Sequence, residues 1–129
     1  MKELKLYRCE RCGNLICMVE DSGVTPVCCG ENMKLLSVNT QDAAAEKHVP
    51  VVDRAGELVY VVVGEVEHPM LENHHIEWIA LMTDLGFYVR YIRPGWPPKA
   101  HFTVAQNETI LRTYAYCNMH GLWMTTEEK

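Results

Sequence analysis

Five of the six cysteines of this 129-residue chain fall within its first 29 residues, and four of them follow the pattern C-x2-C-x15-C-C at Cys9, Cys12, Cys28 and Cys29. Four thiolates suit a tetrahedral site for zinc or for a single iron. A segment this short has too little apolar surface to fold alone, so a metal would act as its staple. Cys9-Glu10-Arg11-Cys12-Gly13 has the form of a knuckle in which backbone amides turn toward the sulfurs. The adjacent pair Cys28-Cys29 is the unusual part: neighbouring side chains point to opposite sides of an extended chain, and the backbone must strain for both to reach one ion. Cys17, in Leu15-Ile16-Cys17-Met18-Val19, falls outside the pattern and reads as a small hydrophobe on a strand. Leu4, Leu6, Ile16, Val19, Val24 and Val27 supply strand residues, with turns at Gly23 and Pro26.

The cysteine asymmetry divides the chain into a metal-stapled domain over residues 1–37 and a second domain over 38–129. Thr40 to Ala45 has the composition of one helical turn, with Thr40 or Asp42 as N-cap, and it gives way to Val49-Pro50, which disfavours helix. Between them lies a polar tripeptide, Glu46-Lys47-His48. Beyond it the chain is strand-like: 49–52 and 58–63 around the hairpin signal Asp53-Arg54-Ala55-Gly56, then 76–83, 87–93, 101–104 and 109–116. Short strands separated by turns, with almost no helix, predict an all-β chain whose larger part is an immunoglobulin-like antiparallel β-sandwich.

A formal charge of −5 and scattered lysines and arginines argue against a nucleic-acid partner, which needs a basic footprint. No stretch approaches the roughly 18 apolar residues of a membrane span, and Met-Lys-Glu-Leu-Lys at the start lacks the apolar core of a signal peptide, so the expected location is the cytoplasm. In that compartment cysteines serve as metal ligands or reactive thiols more often than as disulfides.

The larger domain holds a second set of candidate ligands. Cys117 and His120, three apart, are too few to hold a metal, but His48, His68, His74, His75 and His101 lie upstream at loops and strand ends, where chemistry on a β scaffold is carried. His68 precedes Pro69 at a fixed turn, and His74 comes immediately before the strand that carries Trp78.

Read together, these segments resemble the desulfoferrodoxins, the two-centre superoxide reductases. The resemblance is carried by Glu46-Lys47-His48-Val49-Pro50, by Gly64-x3-His68-Pro69-Met70-x3-His74-x-Ile76-x-Trp78-Ile79, and by Tyr116-Cys117-Asn118-x-His120-Gly121-Leu122-Trp123. Cys9, Cys12, Gly13, Cys28, Cys29 and Gly30 add a likeness to the desulforedoxin-type iron centre, so the match spans essentially the whole chain. The resemblance implies two irons per chain, one on the four cysteines and one on His48, His68, His74 and His120 in a plane with Cys117 on the axis. His74 is preferred to His75 because its six-residue spacing from His68 is the family's, and His101 has no place in that pattern. The implied reaction is one-electron reduction of superoxide to hydrogen peroxide at ferrous iron. Lys47 would attract superoxide and help protonate the product, and Glu46 would close the site at rest. The amides of Asn118 and Met119 are candidates for hydrogen bonds to the Cys117 sulfur. A rubredoxin-like electron donor and a homodimer are likewise implied. Three readings compete: a non-catalytic electron-transfer or zinc-binding protein, a nucleic-acid module on the four-cysteine segment, and dismutation in place of reduction.

Overall fold

A computed structural model of the chain describes residues 4–39, 48–64 and 68–126. The expected helical turn at 40–45, together with Glu46 and Lys47, lies outside the described residues. Those described form thirteen β-strands and no helix, so none is long and apolar enough to cross a membrane. Two compact units are present, Met1–Ser37 and Val38–Lys129.

In the first unit, β1 (Leu6–Arg8) lies between β2 (Leu15–Cys17) and β5 (Lys34–Leu35), antiparallel to both. Tyr7, Cys9 and Met33 form its small buried cluster, against which Ile16, Met18 and Cys28 pack. Val19 and Val24, read from the sequence as strand residues, lie outside the strands and are 88% and 71% exposed. With so few buried side chains, the unit fits the need for a metal staple. A two-stranded hairpin, β3 (Val27–Cys28) with β4 (Glu31–Asn32), completes it. Its turn is Cys29-Gly30, and both residues have positive φ, 53° and 76°. Positive φ at both central residues is what a type I′ hairpin turn requires. The strain expected of the paired cysteines is therefore taken up at Cys29, a non-glycine residue in the left-handed region.

The second unit is a sandwich of two sheets. One has the order β10-β9-β12-β13-β6, from β6 (Val38–Asn39), β9 (Ile76–Thr83), β10 (Phe87–Tyr91), β12 (Ile110–Cys117) and β13 (Gly121–Thr126). The other is β11-β8-β7, from β7 (Pro50–Ala55), β8 (Leu58–Val63) and β11 (Lys99–Thr103). On β8 strict alternation turns Val59, Val61 and Val63 inward and leaves Leu58, Tyr60 and Val62 exposed, the pattern of a half-buried strand. The inward valines meet Ile76, Ile79, Leu81, Phe102 and Ala115 in the core. β9 and β12 are central and mostly buried, which accounts for their near-continuous apolar sequence.

Two local readings are corrected. β7 runs through Asp53 to Ala55, and the chain turns at Gly56-Glu57, with Gly56 at φ 64°. The Arg54 guanidinium crosses this turn to donate to the Gly56 carbonyl at 2.8 Å. The strand ending at Cys117 is not the last: Gly121–Thr126 turns back and pairs antiparallel with it from Cys117↔Gly121 to Arg112↔Thr126. The apolar run Leu122-Trp123-Met124 that follows the Cys117–His120 turn belongs to this strand, with Leu122 and Trp123 both buried.

Register then brings five strand boundaries to one rim of the sandwich. Pro50 at the start of β7 pairs with Val63 at the end of β8, Ile76 at the start of β9 pairs with Cys117 at the end of β12, and Cys117 pairs with Gly121 at the start of β13. His48, His68, His74, Cys117 and His120 are all at or within five residues of these boundaries.

Candidate metal centres

The first cluster is Cys9, Cys12, Cys28 and Cys29, whose sulfurs all lie within 4.8 Å of one another. Cys9 leaves β1 into a tight loop in which its N–H donates to the Asn14 carbonyl and its carbonyl accepts from Gly13 N–H, both at 2.9 Å. Gly13, at φ 85°, supplies a conformation that side-chain-bearing residues rarely adopt. On the other side, the β3–β4 turn presents Cys28 and Cys29. Cys12 Sγ lies 3.7 Å from Cys28 Sγ, and sulfurs about 2.3 Å from a tetrahedral ion stand about 3.8 Å apart. No disulfide joins them.

The electrostatics of Cys9, Cys28 and Cys29 point the same way. The Cys12 backbone N–H, donating to Cys9 Sγ at 3.5 Å, is the main cause that lowers the Cys9 thiol to about 6. The neighbouring thiols Cys12 and Cys9 hold Cys28 above its ordinary value and push Cys29 up to about 12. Four sulfurs this close cannot all ionise unless a cation sits among them, and a soft divalent ion meets that requirement. Asn14 Nδ2 donates to Cys28 Sγ at 3.6 Å, a contact that nothing in the spacing of the cysteines announced.

The second cluster lies at the strand-end rim. His48, His74, Cys117 and His120 offer ligand atoms within 4.8 Å of one another. His68 stands outside that mutual set but closes a ring of imidazoles. Adjacent ring centroids are 4.7 Å apart for His48 and His68, 4.8 Å for His68 and His74, 5.0 Å for His74 and His120, and 4.7 Å for His120 and His48. Neighbouring rings are inclined by 69–80°, whereas the opposed pair His48 and His74 is 6.4 Å apart and tilted by 32°. These are the sides and one diagonal of a near-square. His48 Nε2 and His120 Nδ1 are 3.1 Å apart, and two nitrogens about 2.1 Å from one ion at a right angle lie about 3 Å apart.

Local structure fixes each donor. His68 Nδ1 lies 2.7 Å from the Pro69 carbonyl, which can only accept, so Nδ1 carries the proton and Nε2 presents its lone pair. That Nε2 is buried and has no hydrogen-bond partner among the described residues, the mark of a group built for another ligand. Burial lowers the His68 pKa to about 4, which keeps the ring neutral at neutral pH. His74 sits where a tight turn closes on Leu71: Leu71 N–H donates to the His74 carbonyl at 2.8 Å and His74 N–H to the Leu71 carbonyl at 3.2 Å.

Cys117 is fully buried at the end of β12, and its Sγ lies 3.8 Å from His120 Nδ1. A register shift between Tyr116 and Cys117 passes over Glu77, so that Cys117 pairs with Ile76 and both side chains enter the core. Bulges re-aim side chains in this way. Burial pushes the Cys117 thiol up, while the N–H groups of Met119 and His120 beside the sulfur lower it. This corrects the expectation for Asn118, whose N–H goes to the His75 carbonyl at 3.1 Å.

Two supports have roles the sequence did not disclose. Trp123 stacks on the His48 ring at 4.6 Å and 17°, and its Nε1 donates to the His120 carbonyl at 3.1 Å, so one side chain steadies two of the four imidazoles. Asn118 reaches the segment around His74, its side-chain amide bonded to His75 N–H and the Asn73 carbonyl. The other candidates stay outside both clusters. Cys17 is half-buried on β2, and His75 Nδ1 donates to the Leu71 carbonyl at 2.8 Å. His101 faces outward on β11 beside Tyr60.

A family model described as Desulfoferrodoxin matches residues 40–126, and one described as Desulfoferrodoxin, N-terminal domain, matches residues 1–36. A desulfoferrodoxin homolog from Archaeoglobus fulgidus is 47% identical over 122 residues, covering 95% of this chain and 96% of its own length. The crystal structure of the superoxide reductase from Treponema pallidum aligns with a TM-score of 0.85 at 29% identity, over 98% of this chain and 100% of that one. A superoxide reductase of the one-iron type from Giardia intestinalis aligns with a TM-score of 0.56 at 36% identity, over 65% of this chain and 99% of its own.

Proposed function

The chain belongs to the desulfoferrodoxin family, and from that premise we propose that it is a superoxide reductase with two iron centres. Residues 1–37 hold one iron on Cys9, Cys12, Cys28 and Cys29, and residues 38–129 hold the reactive one on His48, His68, His74, His120 and Cys117. The observation that carries this reading is the near-square of four imidazoles with a buried thiol beside it. A closed structural zinc site stops at four donors and has no use for a fifth. Ferrous iron bound there supplies the one electron that, with two protons, converts superoxide to hydrogen peroxide.

The residues divide the work. Neutral imidazoles add no charge and the Cys117 thiolate adds one, so the donor set leaves a divalent ion a formal charge of about +1, attractive to an anion. Met119 and His120 N–H groups beside the sulfur moderate how much electron density it gives. Lys47, next in sequence to His48, focuses positive potential on a protein of net charge −5, and its Nζ ammonium delivers a proton toward the product. The Glu46 carboxylate closes the site once product has left. A rubredoxin-like protein returns the electron, and the enzyme works in the cytoplasm as a homodimer.

The test uses the purified full chain. Iron content, optical spectra before and after ascorbate, superoxide consumption and peroxide yield are measured together. Two irons per chain, two distinct ferric spectra and peroxide formed without superoxide-derived oxygen are expected. Oxygen released alongside peroxide would make the protein a dismutase, and a second site filled with zinc alone would make it non-catalytic.

A further inference from the structure

Asn118 follows Cys117 directly, yet its hydrogen bonds go to the segment just before β9. Its Oδ1 accepts from His75 N–H at 2.9 Å, its Nδ2 donates to the Asn73 carbonyl at 3.1 Å, and its own N–H donates to the His75 carbonyl at 3.1 Å. The orientation of the amide is forced, because His75 offers an N–H and Asn73 a carbonyl. All three bonds therefore bracket His74.

The need for such a bracket follows from the local fold. The β9–β12 ladder ends at the shifted pair Cys117↔Ile76, so His74 lies beyond regular pairing. On one side the two-residue turn to Leu71 holds its backbone, and on the other side Asn118 does. The side-chain amide acts as a surrogate length of strand, offering a donor and an acceptor where the ladder has stopped. It couples the position of the Cys117 sulfur to that of the His74 ring, which must sit 4.8 Å from His68 and 5.0 Å from His120 to complete the square.

We propose that Asn118 is a positioning residue for the five-donor centre, setting where the His74 imidazole stands relative to the Cys117 sulfur; this rests on the assignment of that cluster as a metal centre. Partners that orient a ligand typically govern metal affinity by about 10- to 100-fold when removed. Alanine at 118 removes both side-chain bonds. Aspartate keeps the bond from His75 N–H but sets a second carboxylate oxygen against the Asn73 carbonyl, and so breaks the bracket on one side.

The experiment titrates metal-free full chain with cobalt(II) in competition with a chelator, reading the sulfur-to-cobalt and ligand-field bands of the two sites separately. Asn118→Ala is expected to weaken cobalt binding at the histidine-cysteine site by about 10- to 100-fold and to shift its bands, with the four-cysteine site unchanged as an internal control. Should Asn118→Ala fail to fold, Asn118→Asp gives the same reading. Affinity and bands identical to wild type at the histidine-cysteine site would overturn the proposal, even if the variant melted at a lower temperature. Wild-type protein that took up one cobalt ion per chain, at the cysteines alone, would instead overturn the second centre and the positioning role with it.

Discussion

Cys117 shows what a single residue contributes that its neighbours cannot. Its thiol is fully buried and pushed up by that burial, so it ionises when a metal draws the proton off. Cys117→Ser is expected to abolish the sulfur-to-iron charge-transfer absorption of the oxidised second centre while leaving the four-cysteine spectrum in place; a surviving band would remove Cys117 from the ligands. Lys47→Ala is expected to lower the bimolecular rate with superoxide and to flatten its dependence on ionic strength, since it removes the local cation. An unchanged rate at low salt would take Lys47 out of the mechanism. Among residues, the side chains that come together in the two clusters were legible as cysteines and histidines able to ligate a metal, and their grouping rested on the family resemblance. Trp123 and Asn118 were not, because a ring stack on His48 and a bracket around His74 exist only once β9, β12 and β13 are side by side. The sulfur's amide donors fall one residue later than the sequence suggests, at Met119 and His120, since the turn sends the Asn118 N–H to His75.

The strands were legible where burial imposes a pattern. β8 alternates, β9 and β12 run apolar, and all three stand close to where the sequence placed them. β13 has no further turn to set it off from the Cys117–His120 segment, and the hairpin turn falls at Gly56-Glu57 because glycine marks the turn while the polar residues before it continue the strand. At the rim opposite the histidine-cysteine cluster, Glu108 is a buried carboxylate at only 3% exposure. It accepts from the Thr83 hydroxyl, from Tyr88 Oη at 2.8 Å and from Ala105 N–H at 2.9 Å, tying β9 and β10 to the loop before β12. The Thr83 hydroxyl is the first cause that holds its carboxyl below the usual range, and the same carboxylate raises Tyr88. A carboxylate with a lowered folded pKa stabilises the fold above its unfolded pKa, and that contribution is lost as pH falls through the folded value. Glu108→Gln is therefore expected to cost about 1 to 3 kcal/mol at neutral pH, with the gap to wild type in thermal melts closing as the solution is made acidic. A gap independent of pH would show that packing, and not the charge, is what Glu108 supplies.

For the whole molecule, the first of the two units has a buried cluster of three residues and must find its stability outside apolar packing. The I′ turn that admits both Cys28 and Cys29 was beyond sequence reasoning in detail: it needs positive φ at a cysteine, which a metal cluster can compensate and a propensity scale cannot anticipate. The proposed ligands of the second centre all lie at or beyond residue 48, so the two centres should be separable. Cys12→Ser is expected to lose the four-thiolate iron spectrum and to retain most superoxide reduction; simultaneous loss of both would join the centres functionally. The convergence of strand boundaries on one rim also has a consequence for how the chain tolerates growth. Each hairpin that closes at the far rim, such as Gly56-Glu57 between β7 and β8, can lengthen without changing the parity or register of the strands that deliver the donors. An inserted peptide or reporter belongs there, and one extra residue between Cys117 and His120 does not.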